Sequence, residues 1–145
     1  MSGTETMDLQ LRPVGTIRST LKNRSEAPKQ GSEGAPDAWL ELDSTLVDAL
    51  DGLEVGDEIL VLTWFHQAHR DVLKVRPRSD PRNRLTGVFA TRSPDRPNPI
   101  ALHPVVVRVV EGNRLRIGPI EAIDGTPVVD IKPVLKCSPL DTAAR

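Results

Sequence analysis

Several short stretches carry side chains whose types and spacing could bind or orient a polar ligand. His66-Gln67 close the apolar run "EILVLTWFHQ", so an imidazole and an amide stand where a strand meets solvent. Both offer donors and acceptors at neutral pH. The same place also suits a histidine that only hydrogen-bonds a backbone carbonyl. Arg92 and Arg96 lie in "GVFATRSPDRPNPI". A guanidinium is planar, permanently charged and matched to a carboxylate or phosphate. The neighbouring prolines fix φ, so this loop loses little freedom on taking a ligand. Asn98, between Pro97 and Pro99, holds an amide on stiff backbone where it could accept from a substrate N–H. Asn-Pro is equally an ordinary turn initiator. Asp124-Gly125-Thr126-Pro127 read as a tight turn between two strands, with Asp-Gly the usual hairpin signal. The functional reading is that Gly125 lets backbone approach a ligand closely. Pro28-Lys29-Gln30 fall in a polar stretch and by themselves signal only a loop.

These segments need elements to position them. Leu11 to Arg18 read as a first strand, followed by the polar loop "TLKNRSEAPKQGSEGAP". A structureless loop of that length is usually functional or disordered. Trp39 to Leu42 form a short strand. "DSTLVDALDGLEVGDEI" reads as a helix with Leu46, Val47, Leu50 and Leu53 on one face, Asp43 or Ser44 as N-cap and Gly56 as stop. "EILVLTWFH" is a central buried strand, and "AHRDVLKVRPRSDPRNRL" a polar excursion. "TGVFATR", "IALHPVVVRVVEG", "NRLRIGPIEAIDG" and "TPVVDIKPVL" complete the strands, with a turn at Gly112-Asn113. Many short strands without βαβ alternation predict a mainly β fold. The expected form is a small antiparallel or mixed β-barrel with one or two short helices and long ligand-covering loops. Residues 11–136 form its single domain, between a flexible N-terminus at 1–10 and a tail at 137–145.

The bulk composition narrows the function classes. A chain of 145 residues suits one domain. A net charge of -1 gives no overall pull toward nucleic acid or membrane, so any basic site is local. Two Trp, two Phe and no Tyr disfavour serial stacking of RNA bases. The one cysteine, Cys137, permits neither an intrachain disulfide nor a Cys-based zinc site. His66, His69 and His103 show no ligand spacing, so no metal is expected. Dinucleotide, Walker and nucleophile-elbow motifs are missing. No signal-peptide pattern or membrane-length apolar run occurs, which makes the cytoplasm the expected compartment.

Together, "FHQ", "GVFATRSPDRPNPI" and "IDGTPVVDIKP" resemble the TsaA-like, or TrmO, family. "VGTIRS" and "APKQG" stand where that family has its first strand and its P-R-Q-type loop, and the resemblance runs from about Leu11 to Leu135. It implies an S-adenosylmethionine-dependent methyltransferase on a small β-barrel. The implied acceptor is N6 of threonylcarbamoyl-adenosine at position 37 of tRNA, and the implied assembly a homodimer. The implied cofactor contacts are Pro28, Lys29, Gln30, His66, Gln67, Arg92, Leu102, Asp124, Gly125, Thr126 and Pro127, with Asn98 a candidate catalytic residue. The sulfonium methyl is already activated, so the chemistry calls for no metal. Departures from the family pattern are Ala101, His103-Pro104 and Val134, and longer bacterial members carry an additional C-terminal region. Arg70, Arg76, Arg78, Arg82, Arg84, Arg92 and Arg96 could form a patch holding an anticodon stem. Two other readings stay open: a small-molecule acceptor in place of tRNA, and a non-catalytic module that binds cofactor or RNA.

Overall fold

Alternating apolar side chains build the wall that everything else hangs from. In β3 (Glu58–Trp64), Ile59, Val61 and Thr63 are fully buried, while Leu60, Leu62 and Trp64 stay half-buried on the other face. That is the two-residue period of a strand with one side inward. The computed structural model describes residues 7–29 and 31–135; residues 1–6, Gln30 and 136–145, which include Cys137 and the expected tail at 137–145, lie outside them.

The other strands are β1 (Gly15–Arg18), β2 (Ala38–Leu42), β4 (Lys74–Val75), β5 (Thr86–Gly87), β6 (Ile100–Glu111), β7 (Arg114–Gly118) and β8 (Pro127–Pro133). Six of them close a barrel in the order β1-β2-β7-β6-β3-β8, and β4 pairs with β5 in a separate ribbon. Every pairing is antiparallel. Ile17, Leu40, Ile59, Leu115, Ile117 and Val128 fill the interior at 0% exposure. Each such side chain contributes about 1.5–3 kcal/mol by leaving water. Among the described residues, no helix is long and apolar enough to cross a membrane.

The structure corrects four expectations. The first strand begins at Gly15 rather than Leu11. The expected amphipathic helix is a 3-10 helix over Ser44–Leu50, capped by Asp43, whose side chain accepts from the Thr45 N–H. Only Leu46, Leu50 and Leu53 of its expected face meet the core, while Val47 is exposed; a short, tightly wound segment is enough to bury those three. "TGVFATR" gives two strand residues and then a 3-10 turn, Val88–Ala90. There the Arg96 guanidinium donates to the carbonyls of Val88 and Thr91, occupying acceptors that a continuing ladder would use. The Asp124-Gly125 turn is not a hairpin, because β8 pairs with β1 and β3 and not with β7. β7 stops at Gly118. A Cβ there would stand 1.8 Å from Asp37 Oδ1, and Pro119 follows with no N–H to donate.

Candidate functional site at one rim of the barrel

Antiparallel pairing sorts the connections between the two rims. The ends of β1, β3 and β7 and the starts of β2, β6 and β8 share one rim. The connections 19–37, 65–99 and 119–126 all leave from it, the open rim of the barrel. The opposite, closed rim carries the 43–57 segment and the Gly112-Asn113 turn, with Val14 and Val134 bonded beside them. Every motif singled out in the sequence therefore reaches the same rim, except Leu102, which stands two residues along β6 on the outer wall.

The polar loop is fastened at both sides of this rim. On one side Asp124 accepts from the Ser19 N–H at 3.0 Å and pairs with Lys22 Nζ at 3.3 Å. The Asp124 and Gly125 N–H groups donate to the carbonyls of Leu21 at 2.7 Å and Ile17 at 2.8 Å. The Ser19 N–H is the main reason the Asp124 carboxyl sits below its ordinary range; slight burial opposes it and Lys22 adds to it. On the other side Arg24 forks onto Asp95 at 3.2 and 3.3 Å and reaches the Gln67 carbonyl at 3.5 Å. The His69 N–H also donates to Asp95, at 2.9 Å. Burial pushes the Asp95 carboxyl up, but the His69 N–H and Arg24 outweigh it and hold it low. Farther on, Gly31 lies against Pro119, where a Cβ would come 2.7 Å from the carbonyl oxygen. The loop thus runs across the rim from the Asp-Gly turn to the proline turn.

The candidate residues divide into free and committed groups. The side chains of Lys29, His66, Gln67 and Arg92 are exposed and make no hydrogen bond or ion pair among the described residues. They are available to a ligand. Leu102 is 38% exposed and stands opposite Leu62. Pro28, Gly125 and Pro127 are half-buried. Thr126 is fully buried and its hydroxyl donates to the Ile123 carbonyl at 2.7 Å, so its side chain supports the turn. Asn98 Oδ1 already accepts from Arg70 Nη2 at 2.9 Å, and Arg70 also donates to the Pro97 carbonyl and lies over Trp64. Most of the expected arginine patch is likewise committed. Arg76 donates to Asn83, Arg78 pairs with Glu33, Arg82 with Asp80, and Arg96 holds the Val88–Thr91 turn. Arg84 and Arg92 alone of the seven make no such contact among the described residues.

Sequence reasoning missed a polar chain inside the barrel. Thr63 Oγ1 meets His103 Nε2 at 2.7 Å, and His103 Nδ1 meets Glu121 Oε1 at 2.6 Å. Phe65 packs edge-on against the imidazole at 5.7 Å. The signal was present: the strand period puts His103 on the inward face with Val105 and Val107, and a buried histidine requires partners. Among the described residues, no group of three or more His, Cys, Asp or Glu could hold a metal ion.

Comparison with known proteins gives a consistent result. Residues 16–138 match the family described as the tRNA-methyltransferase O N-terminal domain. The chain is 45% identical over 128 residues to a "Probable S-adenosyl-L-methionine-binding protein" of Methanothermobacter thermautotrophicus, covering 88% of this chain and 90% of that protein. It is 41% identical over 133 residues to the "Putative S-adenosylmethionine-dependent methyltransferase RcsF" of Pseudomonas aeruginosa, covering 88% of this chain and 55% of the relative. The crystal structure of TrmO from that organism superposes with a TM-score of 0.72 at 36% identity, covering 92% of this chain and 57% of that one. The chain therefore spans little more than half the length of these last two.

Proposed function

The chain belongs to the tRNA-methyltransferase O N-terminal domain family, and from that premise we propose that it is an S-adenosylmethionine-dependent methyltransferase. The acceptor we propose is N6 of threonylcarbamoyl-adenosine at position 37 of tRNA. One observation carries the reading: apart from Leu102 on β6, the segments holding the motif-derived cofactor residues leave from a single rim, and the polar loop is tied across it by Asp124 and Asp95.

The residues present fit such a cofactor. Arg92 and Lys29 are unpaired cations suited to its carboxylate. His66 and Gln67 add uncommitted donors and acceptors, and Leu102 gives an apolar surface for the nucleoside. Asp124 and Thr126 hold the turn that borders them. When bound, the cofactor supplies a methyl group already activated on sulfonium sulfur. The chain's task is then alignment: to hold the acceptor nitrogen in line at roughly 3–3.5 Å from the methyl carbon. Asn98 is stiffly placed for orienting the acceptor N–H, provided Arg70 yields its amide oxygen.

We also propose a homodimer. Leu62 and Leu102 face each other on the outer wall of β3 and β6, with Ile100 41% exposed beside them. Pairing of that wall with a second copy would cover Leu102 at the cofactor's edge. The test is direct. The protein is incubated with labelled methyl donor and bulk tRNA, and the tRNA is digested to nucleosides. Label in the N6-methyl form of threonylcarbamoyl-adenosine supports the proposal. Calorimetric uptake of the cofactor with no label in tRNA transfers the case to a small-molecule acceptor or a binding module. No uptake by folded protein ends the cofactor reading.

A further inference from the structure

We propose that the outer wall of β1, β2 and β7 is where an RNA strand lies when its acceptor base enters the open rim; the inference rests on the tRNA acceptor proposed above. Arg18 stands directly opposite Trp39, and Trp39 directly opposite Arg116, across these three strands. The Arg114 guanidinium lies 4.1 Å from the centroid of the Trp39 ring. A guanidinium placed over an indole makes a cationic plate on which a nucleobase can stack. Beside it runs a cleft of about 460 Å³ lined by Arg18, Lys22, Asp37, Trp39, Arg116 and Asp124. Asp124 belongs to the rim turn, so the cleft leads from the open rim out over the wall.

The charge on this wall favours a polyanion. Among the described residues Arg18, Lys22, Arg108 and Arg116 pair with three carboxylates there, those of Asp37, Glu41 and Asp124, and Arg114 stands opposite Glu41 and Glu111 in the strand register, so five cations face four carboxylates. Arg108 and Arg116 share Asp37, each through Nε at 3.6 Å, which is longer than a hydrogen bond. The Arg116 guanidinium donates no hydrogen bond among the described residues, so its forked end is open to a phosphate. The excursion arginines offer less, since five of the seven are already spent. Across the barrel, β3 with the start of β6 presents the apolar wall and suits a second copy of the chain. An acidic protein would satisfy the charge, but the Trp39–Arg114 plate adds a feature that a nucleobase uses and a carboxylate does not.

The experiment measures binding of a labelled anticodon stem-loop RNA to the full chain over a salt series. Arg116→Glu and Trp39→Ala are compared with Arg82→Glu on the excursion. The expected result is an RNA Kd raised about tenfold or more in the first two, with a salt slope shallower by about 1 for Arg116→Glu. Arg82→Glu stays close to wild type, and cofactor affinity by calorimetry is unchanged in all three. Because Trp39 packs against Arg114, exposed Arg116 is the decisive position. RNA binding unchanged in Arg116→Glu, or lost only in Arg82→Glu, overturns the proposal. So does displacement of the RNA by polyglutamate at equal charge. Failure here is separable from failure of the activity. Label reaching tRNA with binding insensitive to these variants sinks the cleft alone. Cleft-dependent RNA binding without methyl transfer sinks the activity alone.

Discussion

The two rims of the barrel are held by different forces. At the closed rim, backbone closes on backbone: Leu42 and Asn113 bond at 2.8 Å, and Gly56 donates to the Val107 carbonyl at 2.8 Å. Leu46, Leu50 and Leu53 plug it with apolar side chains. At the other, open rim Ile120, Ala122 and Ile123 bury the 119–126 connection, while the polar loop is fastened across it by backbone bonds to Leu21 and Ile17 and by charged side chains: Asp124 with Ser19 and Lys22, Asp95 with Arg24 and His69, and Arg78 with Glu33. Such exposed pairs are each worth about 0–1 kcal/mol. Stability therefore concentrates in the barrel, its closed rim and the buried 119–126 connection, while the polar loop over the open rim belongs to the low-stability part of the molecule that can rearrange around a ligand.

The largest effect that could break this contrast is at the closed rim. Leu50→Ala should cost about 2–5 kcal/mol, because it removes buried methyl groups and leaves a cavity. Denaturant unfolding measures it. A loss below about 1 kcal/mol would mean that the closed rim is as loosely held as the open one. Next in size is Arg92→Ala at the open rim. An exposed, unpaired side chain should change stability by no more than about 0.5 kcal/mol. Cofactor affinity should fall about ten- to a hundredfold, as a hydrogen bond to a charged group is worth about 1.5–3 kcal/mol. Unaltered calorimetric affinity would remove Arg92 from the site. Smaller still is the Arg24–Asp95 clip. Asp95→Asn should weaken cofactor binding by up to about fivefold, within the range of exposed pairs, and expose residues 19–29 to proteolysis. Exchanging the two charges, Arg24→Asp with Asp95→Arg, should recover part of the loss. No recovery would show that Asp95 acts through the His69 N–H and not through Arg24.

The barrel was legible because its signal is local. β3, β6 and β8 are apolar, β-branched runs bounded by turn residues, and they appear in the structure as strands with one or two residues' error at the ends. Three features were not legible, each because a distant partner decides it. "GVFAT" has strand composition, yet the Arg96 guanidinium turns it by taking two of its carbonyls. Asp124-Gly125 has hairpin composition, yet β8 inserts between β1 and β3. The seven arginines of the excursion read as a patch, yet carbonyls and carboxylates in their own loops consume most of them. The candidate site was legible as motifs and not as geometry. Nothing local in "LKNRSE" tells that Arg24 will grip Asp95, some seventy positions away. The cationic row Arg18, Trp39 and Arg116 is likewise assembled by strand register alone.

The smallest effect, and the sharpest comparison of the rims, comes from acid. Asp95 and Asp124 are both held below the ordinary value of 3.8 in the folded chain. A carboxyl whose folded pKa is depressed gives its full stabilisation above its unfolded value and loses it as pH falls through the folded one. The fastenings of the open rim should therefore be indifferent to pH near neutrality and fail below about 4. Asp43 at the closed rim has the same sign, held low mainly by the Thr45 N–H, so acid weakens both ends. The difference lies in what remains. Once Asp43 is protonated, Leu46, Leu50 and Leu53 still plug the closed rim. Once Asp95 and Asp124 are protonated, the polar loop has no comparable apolar plug to hold it. Amide protection factors, which divide out intrinsic exchange, should fall at residues 19–29 between pH 5 and pH 3, while those of 44–53 change less. Equal loss at the two rims would mean that charge and not apolar packing holds both.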